Sequence, residues 1–149
     1  MPYQIKGVTI MKKLFRNEIL IKADKKDVQQ FLLTAPNWLK WNWAIGKIET
    51  VNENTYAIHR DVDALNKDEI VEIKAVDNKI ICQSTTGRME YQLVFELTDQ
   101  AGLTKVTETL YPTNNLQLPL TLLAPIAKHA FNQNLQVLKE FLEAQVTKL

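Results

Sequence analysis

Four polar side chains of this sequence fall within otherwise apolar patterns, and chemistry is best sought there. Glu108 alternates with Val106 and Leu110. A carboxyl group on a buried face has its ionised form disfavoured, which makes it a candidate general acid or base. The strand pattern leaves two registers open. Either Val106, Glu108 and Leu110 face inward, or Thr107, Thr109 and Tyr111 do, with Glu108 on the surface. The scarcity of buried glutamate favours the second. Tyr91 sits among Met89, Leu93 and Phe95, so its ring is packed and its hydroxyl needs a partner or a ligand. Asn134 lies in the middle of an apolar helical stripe. It either bonds a neighbouring backbone group or orients a ligand. Arg60 shares parity with Tyr56 and Ile58 at the end of a strand; it either reaches over a cavity mouth or is solvated, as arginine mostly is.

Other chemistries find no support. The two histidines are His59, read as pointing away from the core, and His129, read on the polar face of a helix. Neither has a metal-ligand neighbour at a useful spacing, and Cys82 is the single cysteine, so neither a metal site nor an intramolecular disulfide is expected. No nucleophilic triad pattern is present. The four glycines are not clustered, which excludes a phosphate-cradling loop, and no cofactor is implied. The net charge of +1 gives no general attraction to nucleic acid or anionic membrane. Charge is uneven along the chain: residues 1–26 carry seven basic and two acidic side chains, and residues 49–77 carry three basic and eight acidic ones. These read as two solvated strand faces, since surface ion pairs contribute little. No apolar run approaches the roughly 18 residues of a membrane span. Lys6, Lys12 and Lys13 interrupt any signal-peptide core. A cytoplasmic protein follows as the expectation, with its oligomeric state open.

The elements that must position these residues begin with strand character over residues 5–22, and residues 1–10 of the chain form either an N-terminal arm or an edge strand. Asp24 is a good N-cap for a short helix with a Val28, Phe31 and Leu32 stripe, ended by Pro36. A second short helix or turn carries Trp38, Trp41 and Trp43. Trp38 and Trp41 share a helical face and read as a hydrophobic plug rather than a stacking platform. Six strands follow between Gly46 and Tyr111, joined by tight turns at about 10-residue spacing, an antiparallel meander. The cleanest alternates Met89, Tyr91, Leu93, Phe95 and Leu97 against Glu90, Gln92 and Glu96. A leucine-rich segment with Leu116, Leu118, Leu120, Leu122 and Leu123 leads to a long amphipathic helix, whose secure start is placed at Ala124 or Pro125. Its apolar face reads as Leu123, Ile126, Ala127, Ala130, Phe131, Val137, Leu138 and Phe141. The 149 residues suit one α+β domain: a seven-stranded curved antiparallel sheet around a long C-terminal helix, with two short helices between the first two strands.

Three stretches carry a family resemblance. "ILIKADKKDVQQFLLTAPNWLKWN", "GLTKVTETLYP" and "LLAPIAKHAFNQNLQVLKEFLEA", in that order, resemble the opening, last strand and final helix of the START-like (SRPBCC) superfamily. Its fold is called helix-grip. The likeness covers residues 12–145 and looks closest to the polyketide cyclase/dehydrase and lipid-transport group, with Thr34 standing where relatives commonly have an acid. The resemblance implies a cavity between sheet and helix for a hydrophobic small molecule or lipid. Its lining would come from Trp41, Tyr56, Arg60, Met89, Tyr91 and Phe95 on one side and from Leu123, Ala130 and Asn134 on the other, with the leucine-rich segment at its entrance. No fixed catalytic set runs through that superfamily, so fold does not decide activity. Binding is the first reading. An enzyme of the cyclase, dehydratase or isomerase kind, using Glu108 and Tyr91, is the second. A chaperone-regulator-like interaction module is the third.

Overall fold

The computed structural model describes residues 3–5, 8–114 and 119–147. Seven strands form one antiparallel sheet: β3 (Phe15–Ile21), β4 (Ile45–Asn52), β5 (Thr55–Arg60), β6 (Asp68–Val76), β7 (Lys79–Thr85), β8 (Tyr91–Gln100) and β9 (Leu103–Pro112). Their order is β3-β9-β8-β7-β6-β5-β4. The meander therefore runs unbroken from β4 to β9, and β3 closes onto β9 with Asn17 opposite Glu108. The tight turns depend on positive φ at Asn54, Asp77 and Ala101, residues whose short side chains tolerate that region or sit beside glycine. Of the first ten residues, the two described strands do not extend the sheet. β1 (Tyr3–Ile5) and β2 (Val8–Ile10) pair with each other instead, so the single strand expected over residues 5–22 is in fact split.

Between β3 and β4 come α1 (Lys25–Leu33), a 3-10 turn at Ala35–Asn37 and α2 (Trp38–Trp41). Asp24 occupies the N-cap position with extended backbone, although its side chain makes no capping bond. Val28, Phe31 and Leu32 are the buried face of α1, as their spacing predicts. The rings of Trp38 and Trp41 meet tilted by 50° at 5.3 Å, and both stand edge-on to Phe95, at 6.1 and 6.2 Å. They form the expected plug, which fastens α2 to the sheet, whereas Trp43 is exposed.

The long helix α3 (Leu120–Thr147) starts about one turn earlier than expected, with Pro125 inside it. Pro125 cannot donate back to Thr121, but the first turn is anchored by Leu122 and Leu123, whose amides donate to the Pro119 carbonyl. α3 runs parallel to β3. Lys128 Nζ donates to the Arg16 carbonyl, Lys139 Nζ to that of Leu20, and the Lys22 amide to Glu143. Its core side is Asn134, Leu135, Leu138 and Leu142, with Ala127, Phe131 and Phe141 packed alongside. Ile126 and Val137 were assigned to that side but are exposed. The buried line passes through Ala127, Phe131, Asn134 and Leu138, about 100° away from either residue. From Leu120 to Gln133 no residue of α3 is fully buried. The first half of the helix thus leans on the sheet, and the second half is embedded in it.

Candidate functional site

The strand parity that makes the inner face apolar also places several polar side chains on it. Glu69 of β6 shares parity with Val71 and Ile73, and its side chain has no exposed surface. A carboxylate there needs donors, and it has four. Arg60 Nη1 (2.8 Å) and the Tyr91 hydroxyl (2.9 Å) donate to Oε1, and Ser84 Oγ (2.5 Å) and Asn66 Nδ2 (3.0 Å) donate to Oε2. Asn66 also accepts from the Met89 amide at 2.9 Å, and Arg60 Nη1 donates to the Asn66 carbonyl at 3.0 Å. The loop between β5 and β6 is thereby tied to the start of β8. Burial works against the charge on Arg60, but Tyr91 and Glu69 outweigh it and raise its pKa. Burial, with Glu69 adding to it, pushes the Tyr91 phenol well above the usual range. Tyr91 therefore holds its proton and is a hydrogen-bond donor, not a base.

Arg60 is consequently not solvated, and the acidic run over residues 49–77 is not wholly a surface face: Arg60 and Glu69 form its buried ion pair, with the Arg60 side chain 12% exposed. His59 does point outward, with Nδ1 2.7 Å from Asp68. Cys82 is buried, and burial raises its thiol pKa, so it stays protonated.

Glu108 faces inward and is 1% exposed, which corrects its assignment to the surface. Val106 and Leu110 share its side. Thr107 and Thr109 are buried as well, because β9 has a neighbour on each side and its short outer side chains are flanked in register by Arg16, Glu18, Val94 and Glu96. The Glu108 carboxyl has Asn17 Nδ2 as its side-chain partner, at 3.4 Å, and Asn17 also donates to the Lys128 carbonyl at 3.0 Å. Burial pushes the Glu108 pKa up to about 8, the Asn17 bond opposing only in part. At neutral pH this group is largely a neutral carboxylic acid, a donor as well as an acceptor.

Glu108, Arg60, Tyr91 and Leu93 from the sheet meet Trp38, Trp41 and Asn42 from α2 and its end, and Phe131 and Asn134 from α3, around one enclosed void. Its volume is about 10 Å³, enough for a single water or hydroxyl. Among the described residues no ligand-sized hollow of the kind the resemblance implies lies between sheet and helix, where the rings of Trp38, Trp41, Phe95 and Phe131 pack together. Among the described residues, two buried side-chain polar atoms have no protein partner: Trp41 Nε1 and Asn134 Oδ1. Both residues border that void. Trp38 differs, its Nε1 donating to the Leu32 carbonyl at 2.9 Å.

Of the proposed lining, Trp41, Arg60, Tyr91 and Asn134 come together here. Phe95 lies beneath the tryptophans, Met89 and Tyr56 pack in the core, and Leu123 and Ala130 are half-buried on the first half of α3. Leu116 and Leu118 of the leucine-rich segment lie outside the described residues. Sequence reasoning passed over Glu69, Ser84, Asn66 and Asn17. For two of these the parity was legible: Glu69 alternates with Val71, and Asn17 with Phe15 and Ile19. Outside the void, an open groove of about 800 Å³ runs between β3 and the first half of α3, with Phe15, Asn17, Pro125 and Lys128 along it. Asn17 stands between this groove and Glu108. Among the described residues no group of side chains is arranged to hold a metal ion, and no helix is long and apolar enough to cross a membrane.

The chain has the helix-grip fold of the START-like superfamily. A START superfamily protein from Mycobacterium smegmatis superposes with TM-score 0.65 at 14% identity, over 90% of this chain and 97% of that one. The Aha1 dimer from Colwellia psychrerythraea gives 0.64 at 18% identity, over 87% and 95%. The di-domain ARO/CYC StfQ from the steffimycin biosynthetic pathway gives 0.71 at 12% identity, over 89% of this chain and 52% of StfQ. Neither a protein-family model nor a curated protein matches the sequence. At such identities the likeness defines the fold and leaves the function to the site.

Proposed function

We propose that this protein binds a small, mainly apolar molecule between the inner face of the sheet and α3. The observation that carries the reading is the pair of unpartnered buried atoms, Trp41 Nε1 and Asn134 Oδ1, on one void walled by aromatic rings. Buried polar groups are nearly always paired, and ligand sites use a few such groups within apolar walls. Occupancy by anything larger than a water requires the first half of α3 to move. That half has no fully buried residue, and near the void it is tied to β3 by the Lys128 and Asn17 bonds and the Phe15–Phe131 ring contact at 4.9 Å. The groove beside it is the natural approach. A START superfamily protein and an ARO/CYC among the structural neighbours agree with this use of the fold.

The test is native mass spectrometry of the purified chain, followed by extraction of bound material and a thermal-shift screen of apolar compounds. A co-purifying molecule, or a compound that raises Tm in proportion to its concentration, is the expected result. A clean unliganded mass with no compound shifting Tm would sink the reading. An acid/base enzyme is the second reading, favoured by one observation: Glu108 borders the same void with a pKa near neutrality. Under it, Glu108→Gln abolishes turnover while leaving binding intact.

A further inference from the structure

Resting on the binding reading above, we infer that the polar end of the bound molecule is an uncharged hydroxyl, an alcohol or a phenol, which accepts from Trp41 Nε1–H and donates to Asn134 Oδ1. The two atoms impose opposite requirements. An indole N–H only donates, and an amide oxygen only accepts. Trp41 is 2% exposed and Asn134 6%, so bulk solvent satisfies neither, and both border the same void. A group that completes the site must therefore accept and donate at once. A ketone, ether or carboxylate accepts only and leaves Asn134 Oδ1 facing another acceptor. An ammonium group donates only and leaves the Trp41 N–H facing a cation. A primary amide does both but through two different atoms, whereas a hydroxyl does both through one oxygen, which the void of about 10 Å³ accommodates.

Charge leads to the same choice. The cation nearest the void, Arg60, is already ion-paired with Glu69 at 2.8 Å, so no guanidinium is left to neutralise an anionic ligand. Glu108, the acid on the void, is held largely uncharged by burial, so no carboxylate awaits a cation at neutral pH. The apolar remainder of the molecule lies along Phe131 and toward the half-buried start of α3, where Leu123 and Ala130 wait on the helix.

The experiment titrates the full chain at pH 7 with two matched sets of probes, followed by tryptophan fluorescence and calorimetry. One set is 2-naphthol, 2-methoxynaphthalene and 2-naphthoate; the other is 1-octanol, its methyl ether and octanoate. In at least one set the hydroxyl compound binds about tenfold more tightly than its ether and its carboxylate, as the one further hydrogen bond to Asn134 Oδ1 predicts. In Asn134→Leu the preference over the ether shrinks to within about twofold, while the ether's own affinity is kept. Trp41→Phe removes the donor that both compounds use, so the alcohol and the ether weaken together and the preference between them is kept. An ether that binds within about twofold of its alcohol in the wild type overturns the inference and leaves the binding reading standing, as does a tighter carboxylate. Failure of all six probes to bind removes the binding reading itself, and this inference with it.

Discussion

Replacing Glu108 with glutamine isolates the energetic consequence of burying a carboxyl on β9. The side chain is 1% exposed, and its pKa rises from 4.5 to about 8, chiefly through burial. Between those two pH values the folded protein holds a proton that the unfolded chain has released. Stability then falls with rising pH, because the slope follows the protons bound by the unfolded state minus those bound by the native one. Glu108 makes its full contribution below pH 4.5 and loses it as the pH passes 8. A gap of about 3.5 pH units at roughly 1.36 kcal/mol each bounds the effect at about 5 kcal/mol, of which about 4 kcal/mol falls between pH 5 and 9. Glutamine keeps the size of the group and an oxygen for Asn17, but it cannot ionise. Urea unfolding of both proteins at pH 5, 7 and 9 gives the comparison, since subtracting one curve from the other cancels every other titrating group. The wild type loses stability relative to Glu108→Gln across this range, by several kcal/mol. Parallel curves, differing by less than about 1 kcal/mol in their pH dependence, would refute the burial argument.

Other consequences follow from the same geometry. Arg60→Met leaves the Glu69 carboxylate buried without its cation and costs about 3–5 kcal/mol in urea unfolding, most of which Arg60→Met combined with Glu69→Gln restores; a single mutant as stable as the wild type would show that the pair is not buried in solution. Asn134→Leu removes an unpartnered oxygen and raises stability by about 1 kcal/mol, measured by thermal unfolding, and a loss of that size would mean that Asn134 is bonded after all. Amides of residues 126–133 exchange with deuterium faster than those of residues 135–142, because only the second half of α3 is embedded; equal protection by mass spectrometry would remove the mobile half from the account.

Much of the fold was legible because periodicity is a local property. The alternation from Met89 to Leu97 gave β8 its inner face, the Val28, Phe31 and Leu32 spacing gave α1 its contact, and Trp38 with Trp41 gave the plug. Periodicity failed where two faces are covered or where charge misleads. In β9 the residues on both parities are buried, so polarity does not mark the side of Glu108. Glu69 was hidden in an acidic run, although its parity with Val71 was plain. Ile126 and Val137 look like core on a helical wheel, but whether a stripe meets the sheet depends on how the helix lies across it. The size of the void depends on how four rings from three separate elements fit together, which no single stretch encodes. The unpartnered state of Trp41 Nε1 and Asn134 Oδ1 is likewise a property of the assembled packing, and it distinguishes Trp41 from Trp38 three residues earlier.

That distinction supplies the most direct test of binding between sheet and helix. The three tryptophans give three indole N–H signals in a nitrogen-15 correlation spectrum, assigned through Trp38→Phe, Trp41→Phe and Trp43→Phe. Trp38 donates to Leu32, Trp41 has no partner, and Trp43 is exposed. On titration with 2-naphthol the account predicts a large, saturable shift of the Trp41 signal, downfield as the proton gains an acceptor, with the Trp43 signal unmoved. A Trp41 signal that stays in place while the compound binds, or a shift confined to Trp43, would contradict a site beneath α3 and put any ligand on the outer surface.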